Sequence, residues 1–150
     1  MKLKLRHMVH TDLETVLSIE KQVHSRPWTH GNFTDALNNG YTCQVCELEK
    51  TMLGYALLMR VVDEAHLLNI SIAAPHQGQG IGRKLLNRML EIAHCLHLKR
   101  VILEVRPSNG AAVRLYTKAG FRVLATRRGY YPSGSDREDA IVMEYCMTPA

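Results

Sequence analysis

The stretch from residue 67 to about residue 97 constrains this chain more than any other. An apolar run, Leu67 to Ala73, is followed by Gln77-Gly78-Gln79-Gly80-Ile81-Gly82-Arg83. Ile81, Leu85, Leu86, Met89, Leu90 and Ala93 then recur at helical spacing. This order sets a glycine turn between a strand and the N-terminus of a helix. Unpaired backbone N–H groups collect there, and the helix dipole adds partial positive charge. Glycine lets a bulky anion come close to the main chain, so the expectation is a phosphate cradle. A P-loop would need Gly-Lys-Ser/Thr, and Gly82 is followed by Arg83. A dinucleotide fingerprint would need a third glycine where Arg83 stands. What remains is Gln-x-x-Gly-x-Gly over 77–82. Alone, that pattern can equally be a glycine turn capping a helix.

The 150 residues suit one domain spanning 1–150. No apolar stretch is long enough to span a bilayer. Residues 1–6 alternate charge with Leu, which predicts a first strand rather than a signal peptide. The expected compartment is the cytoplasm, with no membrane partner. A net charge of +5 suits a polyanion such as nucleic acid, the ribosome or coenzyme A, but no basic run marks a nucleic-acid arm. Cys43 and Cys46 fall in a predicted strand, where residues three apart face opposite sides. That geometry suits neither a metal nor a redox site. Cys43, Cys46, Cys95 and Cys146 are expected to be buried, reduced thiols. His94 and His97 share a helical face with no third ligand near, so no metal is expected.

Hydrophobic periodicity and turn residues predict β-α-α-β-β-β-α-β-α-β-β. The strands are 3–7, 41–48, 52–61, 65–73, 100–105, 121–127 and 140–146. The last two are expected to be joined by a loop rich in Gly, Ser, Pro and charge. The order implies one mixed α/β sheet with helices on both faces.

Three residues carry candidate chemistry. Glu104 interrupts the apolar strand 101–105 and shares a face with Ile102. A half-buried carboxylate needs a reason: catalysis, or an ion pair with Arg100 or Arg106. Tyr116 shares a stripe with Ala112, Leu115 and Ala119, as a core tyrosine or as a phenol facing a cleft. Asn109 is an expected helix cap that could also touch a ligand. In strand 67–73, Asn69 and Ser71 fall on one face and Leu68, Ile70 and Ile72 on the other. If strand 100–105 splays from it, free backbone groups line a slot that an amide-bearing arm could enter like an added strand.

Residues 69–82 resemble the acetyl-CoA motif of the GNAT superfamily of N-acetyltransferases. Leu103 to Asn109, Leu115-Tyr116, Gly120-Phe121, Arg127-Arg128-Gly129-Tyr130-Tyr131-Pro132, Arg137 to Ile141 and Pro27-Trp28 resemble the RimI-type ribosomal-protein alanine N-acetyltransferases. The resemblance spans the chain. It implies a mostly antiparallel sheet splayed at two parallel strands, and acetyl transfer from acetyl-CoA, without a metal. The implied acceptor is the N-terminal alanine amine of the eighteenth small-subunit ribosomal protein. Glu104 matches the family's base and Tyr116 its acid. Ile70, Ser71, Ile72, Gln77, Gly78, Gln79, Gly80, Ile81, Gly82, Arg83 and Asn109 match coenzyme contacts. Arg128, Tyr130 and Tyr131 match the acceptor side. The chain departs from the family at Ala73-Ala74, which precedes Pro75, at His76 and at Gly129. Other N-termini, lysines or small amines are alternative acceptors. An acyl-CoA sensor would need neither Glu104 nor Tyr116, and an RNA-binding module would need interleaved aromatic and basic strands that are absent.

Overall fold

A computed structural model describes residues 2–133 and 136–147. Seven strands form one sheet in the order β1-β2-β3-β4-β5-β7-β6. They are β1 Lys4–His7, β2 Thr42–Leu48, β3 Thr51–Val61, β4 Glu64–Ile72, β5 Arg100–Val105, β6 Arg122–Ser133 and β7 Asp136–Cys146. The helices are α1 Leu13–Val23, α2 His30–Asn38, α3 Ile81–Cys95 and α4 Gly110–Ala119. All strand pairs are antiparallel except β4–β5.

Local chemistry sets these boundaries. Glu49 and Lys50 both take positive φ (50° and 69°), as a two-residue hairpin requires. Thr29 accepts from the Asn32 N–H, and Asn32 accepts from the Thr29 N–H, closing the start of α2. Gly120 ends α4 at φ 110°.

Each face of the sheet buries its own core. On one, Leu13, Val16 and Ile19 of α1 and Phe33 of α2 pack on Val45, Tyr55 and Leu57. On the other, Ile81, Leu85, Leu86, Met89 and Ala93 of α3 pack on Leu58, Leu67, Val101 and Leu103. Cys43 and Cys46 belong one to each core, as strand alternation requires. Cys95 and Cys146 are exposed, contrary to expectation, because both sit at element ends.

Two irregularities shape the centre. β4 pairs with β5 only from Glu64–Arg100 to His66–Ile102. Immediately after, β4 carries a bulge: Leu57 opposes Asn69 while Leu58 opposes Leu67, so Leu68 is the extra residue. Leu68 therefore does not share a core face with Ile70 and Ile72. Those two pack with the α3 core, whereas Leu68 belongs to neither core. The bulge bends β4 away from β5, and the sheet opens into a wedge.

The second irregularity corrects the expected loop between the last strands. β6 and β7 continue as one long hairpin, and of the residues assigned to a loop only Gly134 and Ser135 lie outside the described residues. Arg127 opposes Ala140 and Tyr131 opposes Glu138, so Arg128-Gly129-Tyr130 bulge opposite Asp139. Gly129 supplies φ 58°, Asp139 accepts its N–H at 2.9 Å, and Arg137 donates to the Gly129 and Tyr130 carbonyls. Side-chain hydrogen bonds hold together a segment whose composition reads as coil.

Candidate active site

The wedge between β4 and β5 is a cavity of about 230 Å³. Leu68, Asn69 and Ile70 line it from β4, and Leu103, Glu104 and Val105 from β5. Asn109, Tyr116 and Tyr131 close it, facing Glu20, His24 and Trp28 of the α1–α2 region. A second cavity, of about 420 Å³, adjoins it under the β6–β7 hairpin, with His66, Leu124, Arg127 and Tyr130 in its wall. Leu68, Glu104 and Tyr131 line both. Glu104 thus stands at the junction of two recesses, one bounded by α4 and the α1–α2 region and one by the hairpin.

Glu104 is held on the outward face of β5, while Val101, Leu103 and Val105 are buried. Its side chain is 33% exposed and lies 3.5 Å from the guanidinium of Arg127, itself 56% exposed. The ion partner is therefore neither Arg100 nor Arg106. Arg100 pairs with Glu64 and Glu144, and Arg106 with Glu138. Tyr116 is buried, its ring 5.7 Å from Phe121, and its hydroxyl makes no hydrogen bond among the described residues. Burial pushes its phenol well above the ordinary tyrosine value, with Tyr131 adding to the shift, so it keeps its proton. Burial, then the charge of Glu104, pushes Tyr131 up to about 12. The Arg106 guanidinium lies 4.4 Å from the Tyr131 ring centre and holds that ring in place.

Backbone geometry leaves one edge of β4 open toward the wedge. The Ala73 N–H bonds to Leu53 of β3, and main-chain polar groups alternate sides along a strand. Those of Ala73 and Ser71 therefore point to β3, and those of Ile70 and Ile72 point into the wedge. The Ile72 carbonyl receives the side chain of Gln77 at 3.0 Å, which folds the glycine loop back onto the strand. Gly78 and Gly80 take φ 77° and 82°, and a Cβ added at either meets nothing within 4 Å. Gly82 has no such φ, and its added Cβ would touch Leu115 at 3.5 Å, an ordinary contact. Helix α3 makes its first backbone bond from Lys84 N–H to Gly80, which leaves the N–H groups of Ile81, Gly82 and Arg83 without helical partners. Gln79 is exposed beside them, the Ile81 side chain is in the core, and Arg83 donates to Asn87. Asn109 caps α4 through Ala112 N–H and also lines the wedge. Arg128 is exposed and lines neither cavity.

Beneath the wedge lies a network that sequence reading missed. Glu20, 1% exposed, accepts from the Tyr55 hydroxyl (2.7 Å), the Asn69 amide (2.9 Å) and the Trp28 N–H (3.0 Å). Ser71 donates to Asn69 at 2.6 Å and hydrogen-bonds His24 at 2.7 Å. The Ser71 side chain is thus taken up in the support of β4. A buried carboxylate persists only when hydrogen-bonded in this way. The signal was present: Glu20 follows Leu13 and Val16 on the apolar stripe of α1.

Comparison with known proteins shows the family. The description "Acetyltransferase (GNAT) family" matches residues 11–121. The chain belongs to this family. The GNAT chain is 37% identical over 133 residues to the ribosomal protein bS18-alanine N-acetyltransferase of Escherichia coli K12, covering 89% of this chain and 90% of that one. A Haemophilus influenzae protein of the same name is 36% identical over 133 residues, covering 88% and 90%. The crystal structure of the E. coli S18-alanine N-acetyltransferase superposes with a TM-score of 0.93 at 34% identity, over 99% and 96% of the two chains. A Salmonella typhimurium structure, yncA with its cofactor acetyl-CoA, shares the GNAT fold at a TM-score of 0.85 and 21% identity, over 100% and 96%. The chain is an acyltransferase of the RimI type, and the splayed mixed sheet expected from its sequence is the sheet observed.

Proposed function

We propose that this acetyltransferase moves the acetyl group of acetyl-CoA onto the α-amine of an N-terminal alanine, with ribosomal protein bS18 as acceptor. The acceptor follows the names of the relatives. The observation that carries the mechanism is that Glu104 and Tyr116 line one cavity where β4 and β5 part.

The residues present fit the coenzyme. The Ile70 and Ile72 backbone offers a strand edge to its amides, and the open turn at Gly78 and Gly80 leads its pyrophosphate to the first N–H groups of α3. Asn109 lies at the same wall. The acceptor enters past Tyr130 and Tyr131. Its α-amine, with an ordinary pKa of about 7.7–8.0, arrives partly protonated. Glu104, directly or through water, takes that proton. The free amine then attacks the thioester carbonyl, whose oxygen is held by backbone N–H near Ile72. Tyr116, kept protonated by burial, gives its proton to the departing thiolate as the C–S bond breaks, and the proton shed by the newly acylated nitrogen returns to the phenolate through water.

The test is mass spectrometry after incubation with acetyl-CoA. An Ala-starting bS18 peptide is expected to gain one acetyl group on its α-amine. The same peptide, blocked at its N-terminus and carrying an internal Lys, is expected to gain none. Acetylation of the blocked peptide at a similar rate refutes the assignment.

A further inference from the structure

Glu20 is a buried carboxylate that the transfer reaction does not use. Its three hydrogen-bond partners among the described residues come from three segments, and all of them donate. They are the Tyr55 hydroxyl of β3, the Asn69 amide of β4 and the Trp28 N–H between α1 and α2. The polarity set at Glu20 runs on along β4. Asn69 gives its amide to Glu20, so its side-chain oxygen is free to accept the Ser71 hydroxyl proton. That uses the single proton of Ser71, whose oxygen therefore accepts from His24 Nε2–H. One carboxylate thus orients Tyr55, Asn69, Ser71 and His24.

Asn69 is the first residue after the bulge at Leu68. Apolar burial alone gives β4 no reason to bulge there. With regular alternation Leu68, Ile70 and Ile72 would share the α1 face, and Asn69 and Ser71 would turn into the α3 core. Glu20 would then lose its donor from β4 and face apolar side chains. A buried charge stripped of its partners costs more than a displaced Leu. The extra residue of β4 therefore falls at Leu68, immediately before the amide that Glu20 holds. This placement turns the Ile70 and Ile72 backbone groups into the wedge.

We propose that Glu20 is a positioning residue for acetyl transfer, acting through Asn69 to hold the bulged edge of β4 in register for the coenzyme. The inference rests on the reading of that edge as the partner of the coenzyme's amides. Glu20 acts on the edge and not on the glycine loop, which none of its partners touches.

The experiment measures dissociation constants by calorimetry for acetyl-CoA and for phosphoadenosine diphosphate, the coenzyme without its amide-bearing arm. The proteins are the wild type, Glu20→Gln, Asn69→Asp and the double variant. Glu20→Gln removes the charged acceptor, and Asn69→Asp sets carboxylate against carboxylate. Each is expected to bind acetyl-CoA about tenfold more weakly, the scale of one hydrogen bond to a charged group, and the nucleotide within about twofold of wild type. The double variant restores the bond with its polarity reversed, an amide on α1 donating to a carboxylate on β4. It is expected to recover most of the acetyl-CoA affinity. A support for the fold alone would lower the melting temperature and leave both constants of the folded protein unchanged. Unchanged acetyl-CoA affinity in the folded variants therefore overturns the proposal, and so does an equal loss for the two ligands. Should Glu20→Gln not fold, the other two variants decide, and a double variant that binds acetyl-CoA no better than Asn69→Asp overturns it as well. A wild type that binds both ligands equally tightly brings down the reading of the β4 edge, and the role of Glu20 with it.

Discussion

Glu104 and Tyr116 illustrate how much a single position in the sequence can say. A carboxylate inside an apolar strand and a tyrosine on an apolar helical stripe were each legible as candidates. Their convergence in one cavity was legible only through the family resemblance, because it depends on how far β4 and β5 part. The structure also sharpens the test. The Arg127 pair of Glu104 is solvent-exposed, and such pairs contribute about 0–1 kcal/mol. Glu104→Gln is therefore expected to melt close to wild type. Its kcat/KM is expected to fall most at low pH and to recover partly above about pH 8, where the amine is already free. A pH–rate profile parallel to wild type, with a clearly lower melting temperature, would make Glu104 scaffold. Tyr116→Phe keeps the ring against Phe121 and loses only a hydroxyl without a hydrogen-bond partner among the described residues. Turnover is expected to fall about 10²–10⁴-fold at unchanged acetyl-CoA affinity. Turnover within about twofold of wild type would leave Tyr116 as a core residue. Glu20 was harder to read, since a glutamate in an amphipathic helix usually faces water. Only its three hydrogen bonds explain its burial.

Among the elements, the glycine loop and α3 were the most legible, because glycine spacing and a helical stripe are both local signals. The structure separates glycines that the pattern treats alike. At Gly80 (φ 82°) any L-residue is strained, at about 1–2 kcal/mol. Gly82 lies in the helix, and its Cβ would make only ordinary contacts. Gly80→Ala is thus expected to lower both the melting temperature and acetyl-CoA affinity. Gly82→Ala is expected to leave the melting temperature nearly unchanged and to act on the coenzyme alone, by up to about tenfold or 1.4 kcal/mol. Calorimetric titration beside thermal melting checks both, and an equal loss of stability in the two variants would contradict the distinction. The β6–β7 hairpin was the least legible element. Arg128-Gly129 and the residues after it look like coil by composition, and the hydrogen bonds of Arg137 and Asp139 to the bulge join the backbone ladder on either side of it in keeping the strands together.

For the molecule as a whole, acid stability is set where distant segments are tied. Arg6 holds Asp12 well below the ordinary carboxylate range, Arg100 and Arg122 do so for Glu144, and Ser108 with Arg106 does so for Glu138. Each carboxylate titrates lower in the fold than in the unfolded chain, so the unfolded state takes up protons first. The stability from these pairs is complete above about pH 4.5 and is lost as pH falls through the folded values. Glu144→Gln is expected to flatten that acid limb, measured as melting temperature against pH. An acid limb unchanged in steepness would mean that Glu144 does not contribute to it. Two cores on two faces were readable from alternation, and a splay between two parallel strands from the family resemblance, whereas the bulge that makes the splay, at Leu68, was not. Remove it on paper, and Ala65, Leu67, Ile70 and Ile72 still fall on one face, with Asn69 and Ser71 on the other. The cores do not need Leu68; the cleft does. What opens this sheet is therefore the number of residues in a strand rather than the kind of any one of them. A point substitution at this position can change the lining of the cleft but cannot close it, whereas loss of one codon can. A chain lacking Leu68 is expected to fold with β4 and β5 paired further along and to bind no acetyl-CoA, while Leu68→Ala still binds it. The site is set by a length.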